Sequence, residues 1–310
     1  MEYVIKEIDI NKRIDVYLTQ NEKDISRSYI KKLIDNDKIT VNGKKVKAGY
    51  ELKLNDKIIV NELKKEPLKI LPKKMDINII YEDDDLIIIN KAKGQVVHPG
   101  NGNYTDTLVN GLLYSHSDKL STENEDILRP GIVHRIDKNT TGVIVIAKND
   151  IAHRKLSEQF KIHSIKREYV AIAKGIIKDD YITIDKPIGR NPNDRVKMAV
   201  TNINSKRAVT HIEVLKRYYN SKLTFIKATL ETGRTHQIRV HLKSIGYPLL
   251  GDLTYGTEYK LIKIDKHLLH AKKLGFIHPT TNKYIEFIVE EPEEFKTILK
   301  KIEDREQIEN

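Results

Sequence analysis

The sequence predicts an α+β protein in two parts: a small basic module, then a larger domain on a large mixed β-sheet. Three observations carry that prediction. Two short helical segments run into Lys38-Ile39-Thr40-Val41, and Asn42-Gly43 turns the chain back through Lys44-Lys45-Val46, a strong two-residue hairpin signal. From Met75 onward β-branched runs dominate (INIIYEDDDLIIINK, GVIVIAK, EYVAIAKG, LTFIKATLET, YIEFIV) with few helical stretches between them. Residues 61–74, NELKKEPLKILPKK, are charged, hold two prolines and show no sustained period, which reads as a linker.

In chain order, residues 12–20 form a helix with Ile14, Tyr17 and Leu18 on one face. Ser26 is the expected N-cap of a second helix, whose apolar stripe is Ile30, Leu33 and Ile34, with Arg27, Lys31 and Lys32 beside it. A second strand pair ends near Val60. In the larger domain, 151–160 and 235–245 read as helices. Thr235 can cap the latter, Gly246 and Pro248 stop it, and Arg239 falls on its second turn. The polar stretches 98–130 and 189–206 lack clear periodicity and are expected to be loops. Residues 291–310 are acidic, a terminal helix or a frayed tail. The domain boundaries are therefore 12–60, a linker 61–74, 75–290 and a tail 291–310.

Of the 310 residues 39% are hydrophobic and 32% charged, so the chain reads as soluble and globular. No stretch approaches the ~20 apolar residues that span a bilayer, and the start, Met1-Glu2-Tyr3-Val4, lacks the features of a secretory signal. With no cysteine there is no disulfide or thiolate site, and the expected location is cytoplasmic. The net charge of +11 is uneven: residues 1–74 hold 18 Lys+Arg against 12 Asp+Glu, a net +6, whereas residues 290–310 hold 4 against 8. A basic excess attracts phosphate backbones, although a lysine-rich composition from an AT-rich genome produces the same count.

The chemistry concentrates in RPGIVHRIDKNTTGVIVIAK, residues 129–148. Gly131 and Gly142 bracket a polar stretch carrying Asp137, with Arg135 and Lys138 near it to keep the carboxylate ionised. Alone, this segment also fits an Asx-type turn with a surface ion pair. In EYVAIA, alternation sets Tyr169, Ala171 and Ala173 on one strand face and Val170 and Ile172 on the other. That tyrosine is either a half-buried strand residue or a stacking platform beside small side chains. Arg239 is either a surface arginine or a partner for a carboxylate on a neighbouring loop. His236 and His241 are five apart, which does not place both on one helix face as zinc-protease histidines require, and Asp83-Asp84-Asp85 reads as a solvated turn without metal partners. No metal, nucleotide loop or other cofactor is expected.

Two resemblances sharpen this. The segment from Arg13 to Val60 resembles an S4 RNA-binding domain, the pairing of SRSYIKKLI with ITVNGKKVK carrying the match. It implies that Arg27, Lys31, Lys32, Lys44 and Lys45 face RNA. HRIDKNTTGVIVIAK is very similar to the motif of the RluA/RluD family of pseudouridine synthases, with Ile136, Asn139 and Thr141 where the family usually has Leu, Asp and Ser. IKREYVAIAKG, LETGRTHQIRVHLKSIGYPLLGD, PIGRNPNDRVKMAV with KRAVTHIEVL, and QVVHPGNGNYTDTLVNGLLY agree in order, so the resemblance runs over about residues 12–290. It implies Asp137 as nucleophile, Tyr169 as active-site tyrosine, Arg239 as the partner of Asp137 and Arg135 as the residue filling the gap left by a flipped uridine. The implied substrate is structured RNA, specifically large-subunit ribosomal RNA, with no cofactor, membrane or obligate protein partner. A non-catalytic RNA-binding or ribosome-assembly protein and a hydrolytic N-glycosylase or glycosidase are the competing readings. Glycosidases usually need a second carboxylate across the bond.

Overall fold

The computed structural model describes the chain except residues 23–26, 62–69, 101–102, 124–127, 195, 265 and 309–310. The N-cap expected at Ser26 lies outside the described residues. Contacts divide the chain into two compact units, residues 1–69 and 70–310.

The first unit packs two helices on a small sheet. Its elements are β1 (Glu2–Val4), α1 (Ile14–Asn21), α2 (Arg27–Asp35), β2 (Ile39–Val41), β3 (Lys44–Lys45) and β4 (Lys57–Val60), with all-antiparallel order β1-β4-β2-β3. Asn42 and Gly43 both have positive φ (50° and 75°), the backbone a two-residue hairpin needs between right-twisted strands. Ile14, Leu18, Ile30, Ile34, Ile39 and Ile58 close the core. Asp15 is buried beneath it. Burial alone would raise its carboxyl, but hydrogen bonds from Arg13 and Arg27 hold it below the ordinary range.

The second unit begins with residues that sequence reading assigned to the linker. Ile70 packs against the core, and Asn110 Nδ2 donates to the carbonyl of Leu71 (2.8 Å). Its strands are β5 (Ile79–Glu82), β6 (Leu86–Lys91), β7 (Thr141–Ala147), β8 (Lys166–Lys174), β9 (Tyr181–Asp185), β10 (Ile188–Arg190), β11 (Met198–Val200), β12 (Val209–Tyr218), β13 (Leu223–Leu230), β14 (Leu269–Ile277) and β15 (Tyr284–Ile288). The helices are α3 (Leu108–His116), α4 (Asp150–Lys161), α5 (Gln237–Ser244) and α6 (Glu293–Ile308). A nine-stranded sheet runs β5-β6-β7-β14-β8-β13-β12-β9, with β15 also on β14. The β7–β14 pair is parallel and its other pairs are antiparallel, so the sheet is mixed as expected. Strand alternation sorts the core. Tyr169, Ala171 and Ala173 join Ala152 and Leu156 of α4 and Ile238 and Leu242 of α5, while Val170 and Ile172 meet Phe295, Ile298 and Ile302 of α6. Each fully buried Ile or Leu contributes about 1.5–3 kcal/mol relative to exposure.

Three local expectations need correction. The stretch 98–130 holds α3, nine residues too short to display a period, started by a capping box between Thr107 and Asn110 and anchored by buried Leu108, Val109 and Leu112. The stretch 189–206 holds the β10–β11 hairpin. Helix α5 is capped at His236 and not at Thr235, because the Gln237 side chain reaches back to accept from Arg234 N–H (2.9 Å) and Thr232 Oγ1 (2.8 Å). Arg239 therefore sits in the first turn.

Candidate active site

Asp137 sits on the loop before β7, and two glycines make that loop possible. Gly131 has φ +70°, and a β-carbon there would lie 2.7 Å from the carbonyl oxygen of Ala147. Gly142 has φ +112° where β7 meets β14, and a β-carbon would be 2.2 Å from the carbonyl oxygen of Ala271. Between them, Ile136 is buried and Thr140 N–H donates to the Asp137 carbonyl (3.1 Å). Buried Lys91 on β6 donates to the carbonyl oxygens of Ala92, Gln95 and Lys138 (2.8, 2.9 and 3.1 Å), tying the loop to its neighbour. Burial pulls this ammonium down to about 7, against the charge of Asp137. Sequence reading passed over Lys91.

Arg239 meets Asp137 as expected, but its bidentate grip goes elsewhere. Nε and Nη2 bond both oxygens of buried Asp252 (2.7 and 3.0 Å), and Nη1 alone reaches Asp137 Oδ2 (3.0 Å). Asp252 also accepts from the backbone N–H of Thr254 and Tyr255. Burial would raise its carboxyl, and Arg239 holds it below the ordinary range. The guanidinium is raised, because the two carboxylates outweigh desolvation, and it lies 4.9 Å from the Tyr255 ring centroid. Asp252 follows Gly251 in PLLGD, within a segment matched to the family by resemblance. Nothing in its local spacing announces the role.

Tyr169 lines the same cavity and is buried. Burial raises its phenol despite the opposing charge of Arg167, so the hydroxyl is protonated near neutral pH. Its hydroxyl bonds no protein group among the described residues. Arg167, two residues earlier on the same face, is 6% exposed, donates through Nη2 to the Glu231 carbonyl (2.8 Å) and leaves Nε unpartnered. His134 stacks on Phe160 with centroids 4.5 Å apart. It accepts a hydrogen bond from Val145 N–H at Nε2 (3.0 Å) and is held down to about 3 by burial, with Arg167 adding to the effect.

The cavity measures about 650 Å³. Arg135, Lys161, Arg167, Lys206, Arg234 and Arg239 all line it, whereas among the described residues Asp137 is its sole carboxylate. Such a lining attracts a polyanion toward one carboxylate. Arg135 is exposed and donates to His98 Nε2 (3.0 Å). Residues 85–244, the stretch that builds most of this cavity, match the RNA pseudouridylate synthase family, and residues 12–58 match the S4 domain. The chain belongs to the RNA pseudouridylate synthase family.

Among the synthase's relatives, an uncharacterized RNA pseudouridine synthase of Bacillus subtilis is 44% identical over 292 residues, covering 94% of each chain. A ribosomal large subunit pseudouridine synthase D of Zymomonas mobilis is 40% identical over 93% of each. The solved structure of human RNA pseudouridylate synthase domain containing 1 superposes with TM-score 0.57 and 26% identity, over 70% of this chain and 84% of that one. The synthase is thus an isomerase acting on RNA, with an S4 domain at its amino-terminal end. Among the described residues, no helix is long and apolar enough to cross a membrane.

The remaining nominated residues lie on the first unit. Lys31, Lys32 and Lys44 are exposed, Arg27 is tied to Asp15, and Lys45 pairs with Asp37. The aspartates at 83–85 do have a partner, contrary to the sequence reading: His278 Nε2 bonds Asp83 Oδ2 (2.9 Å), while its Nδ1 accepts from Thr280 and Thr281 N–H. Asp83 Oδ1 accepts two more backbone N–H groups, so the trio closes a turn. His241 is likewise spent, on Thr210 and the Lys186 carbonyl.

Proposed function

We propose that this synthase isomerises uridines in structured large-subunit ribosomal RNA in the cytoplasm, with Asp137 as nucleophile and no cofactor. The C1′–N1 bond breaks, the uracil turns, C1′ joins C5, and the proton on C5 leaves, so RNA mass is unchanged. The observation that carries the reading is a lone carboxylate held by an arginine inside a cavity of cations, with a buried tyrosine beside it. Arg239 fixes Oδ2, leaving Oδ1 for a sugar carbon developing positive charge. Tyr169 offers a ring for a flipped uracil and a protonated hydroxyl, and Arg135 occupies the vacated stack. Residues 12–60 serve as the RNA-binding module, with Arg27, Lys31, Lys32, Lys44 and Lys45 toward phosphates, and the unit from Ile70 onward, α6 included, serves as the catalytic domain. The relative named for the ribosomal large subunit supports that substrate class.

Among the described residues, hydrolytic glycosidase chemistry lacks its second carboxylate: Asp252, which shares Arg239 with Asp137, is buried and committed to that arginine. The test compares pseudouridine maps of total RNA from cells with and without the gene, complemented by wild-type protein or Asp137→Asn. Large-subunit sites absent from the deletion should return with wild type alone. Restoration by Asp137→Asn would remove the nucleophile assignment, and sites confined to other RNAs would remove the substrate.

A further inference from the structure

His236 occupies a costly conformation for a purpose the assigned roles do not use. Its backbone is left-handed (φ 58°, ψ 22°), which residues with a β-carbon rarely adopt. Gln237 enforces it, because the side-chain bonds of Gln237 to Thr232, Arg234, Val209 and Thr210 lock the start of α5. The result is an imidazole at the cavity wall. Its Nδ1 lies 2.7 Å from the hydroxyl of Tyr255, and that hydroxyl accepts from the backbone N–H of Met198 on β11 (2.9 Å). Burial raises the phenol and lowers the imidazole, so both are neutral near pH 7. The hydroxyl has one proton to give and Nδ1 beside it can accept that proton, the arrangement that would leave the ring proton on Nε2. Nε2 lies 3.9 Å from Asp137 Oδ1, the oxygen that Arg239 leaves alone. That distance is too long for a hydrogen bond between the two groups, so Nε2 borders Oδ1 at the cavity wall without being spent on it.

We propose that His236 is a catalytic residue whose Nε2–H donates a hydrogen bond to uracil O2 as the glycosidic bond breaks, with Tyr255 as the positioning residue that fixes its tautomer. The inference rests on Asp137 acting at C1′. As Oδ1 bonds to C1′, the C1′–N1 pair passes to the uracil and spreads over N1, O2 and O4. O2 is the carbonyl oxygen adjacent to N1, so it is the acceptor nearest a donor that borders the nucleophile. The proton stays on the histidine throughout, and the bond strengthens as charge develops, the condition for rate acceleration. The backbone of the β10–β11 hairpin reaches the reacting atoms through the same relay.

The test uses the full chain with an unmodified transcript of large-subunit ribosomal RNA. His236→Met removes the donor at equal length and should slow single-turnover isomerisation about 100-fold at saturating RNA with unchanged Kd. His236→Gln keeps an N–H and should recover to within about tenfold of wild type. ¹⁵N NMR of histidine-labelled protein should show the Nε2–H tautomer for His236, identified by its absence in His236→Gln, and a tautomer mixture in Tyr255→Phe. An Nδ1–H tautomer in the wild type, near-normal turnover by His236→Met, or a loss confined to Kd overturns the proposal. The tautomer is read on the wild-type protein itself, so it tests the proposal apart from the turnover of His236→Met. Asp137→Asn in the same assay separates the two ideas: activity there removes the nucleophile and the histidine proposal with it, whereas loss there beside near-normal His236→Met turnover removes the histidine alone.

Discussion

Replacing Asp252 by asparagine changes one atom and removes one charge behind the candidate nucleophile. Oδ1 of Asp252 faces three donors, Arg239 Nη2 and the N–H groups of Thr254 and Tyr255, so the new amide nitrogen must take the Oδ2 position. There it meets Arg239 Nε at 2.7 Å, donor against donor. Arg239 and Asp252 are 6% and 2% exposed, so solvent cannot repair the mismatch. Breaking one side of a buried pair costs about 3–5 kcal/mol. At roughly 2–4 °C per kcal/mol for a unit of this size, the melting temperature should fall by about 6–20 °C. The guanidinium also loses the grip that aims Nη1 at Asp137, and a misplacement of ~1 Å costs on the order of 100-fold in turnover. Far-UV circular dichroism melts read the first effect. Single-turnover pseudouridine formation, measured well below the variant's melting point, reads the second. A melting temperature within about 2 °C of wild type, together with normal turnover, would show that the Asp252–Arg239 pair neither stabilises nor aligns anything.

Tyr169→Phe keeps the ring and removes a protonated hydroxyl, so RNA affinity should change by less than about 1 kcal/mol while finished pseudouridine fails to accumulate. Near-normal product would reduce the residue to a stacking platform. Neutralising Lys31 and Lys44 to Gln should weaken RNA binding and lower the slope of log K against log salt by about one for each phosphate these lysines neutralise, with turnover at saturating RNA preserved; an unchanged slope removes them from the interface. His134 is held down to about 3 in the folded protein, against an ordinary value near 6.5, so between these pH values the unfolded chain binds the extra proton. Its contribution is complete above about pH 6.5 and is lost as pH falls toward 3. His134→Gln, which does not titrate, should therefore show a shallower loss of urea stability between neutral and acid pH; identical slopes would exclude the histidine.

Legibility followed the range of the interaction. The Asn42-Gly43 turn and the alternation around Tyr169 were readable because each is decided within a few residues. The loop carrying Asp137 was readable through its two glycines, although why Gly142 is needed depends on Ala271, far along the chain. Helix α3 was missed because its stability lies in one capping box and three buried residues and not in a period. Resemblance paired Arg239 with Asp137. It left Asp252, the stronger partner, unnoticed, because a carboxylate consumed by a buried arginine looks in sequence like any other aspartate. His236 was weighed as half of a metal pair and set aside, and its relation to Tyr255 exists only in three dimensions.

The position of β14 has a consequence for how the enzyme comes into being. β14 lies between β7 and β8, the seam joining the β5-β6-β7 part of the sheet to the β8-β13-β12-β9 part. Asp137 belongs to the first part, and Tyr169 and Arg239 to the second. Each part can pair its own antiparallel strands early, but the two become one sheet only when residues 269–277 slot between them. A chain in which residues 269–277 have not yet paired therefore holds Asp137 and Arg239 on separate parts of the sheet.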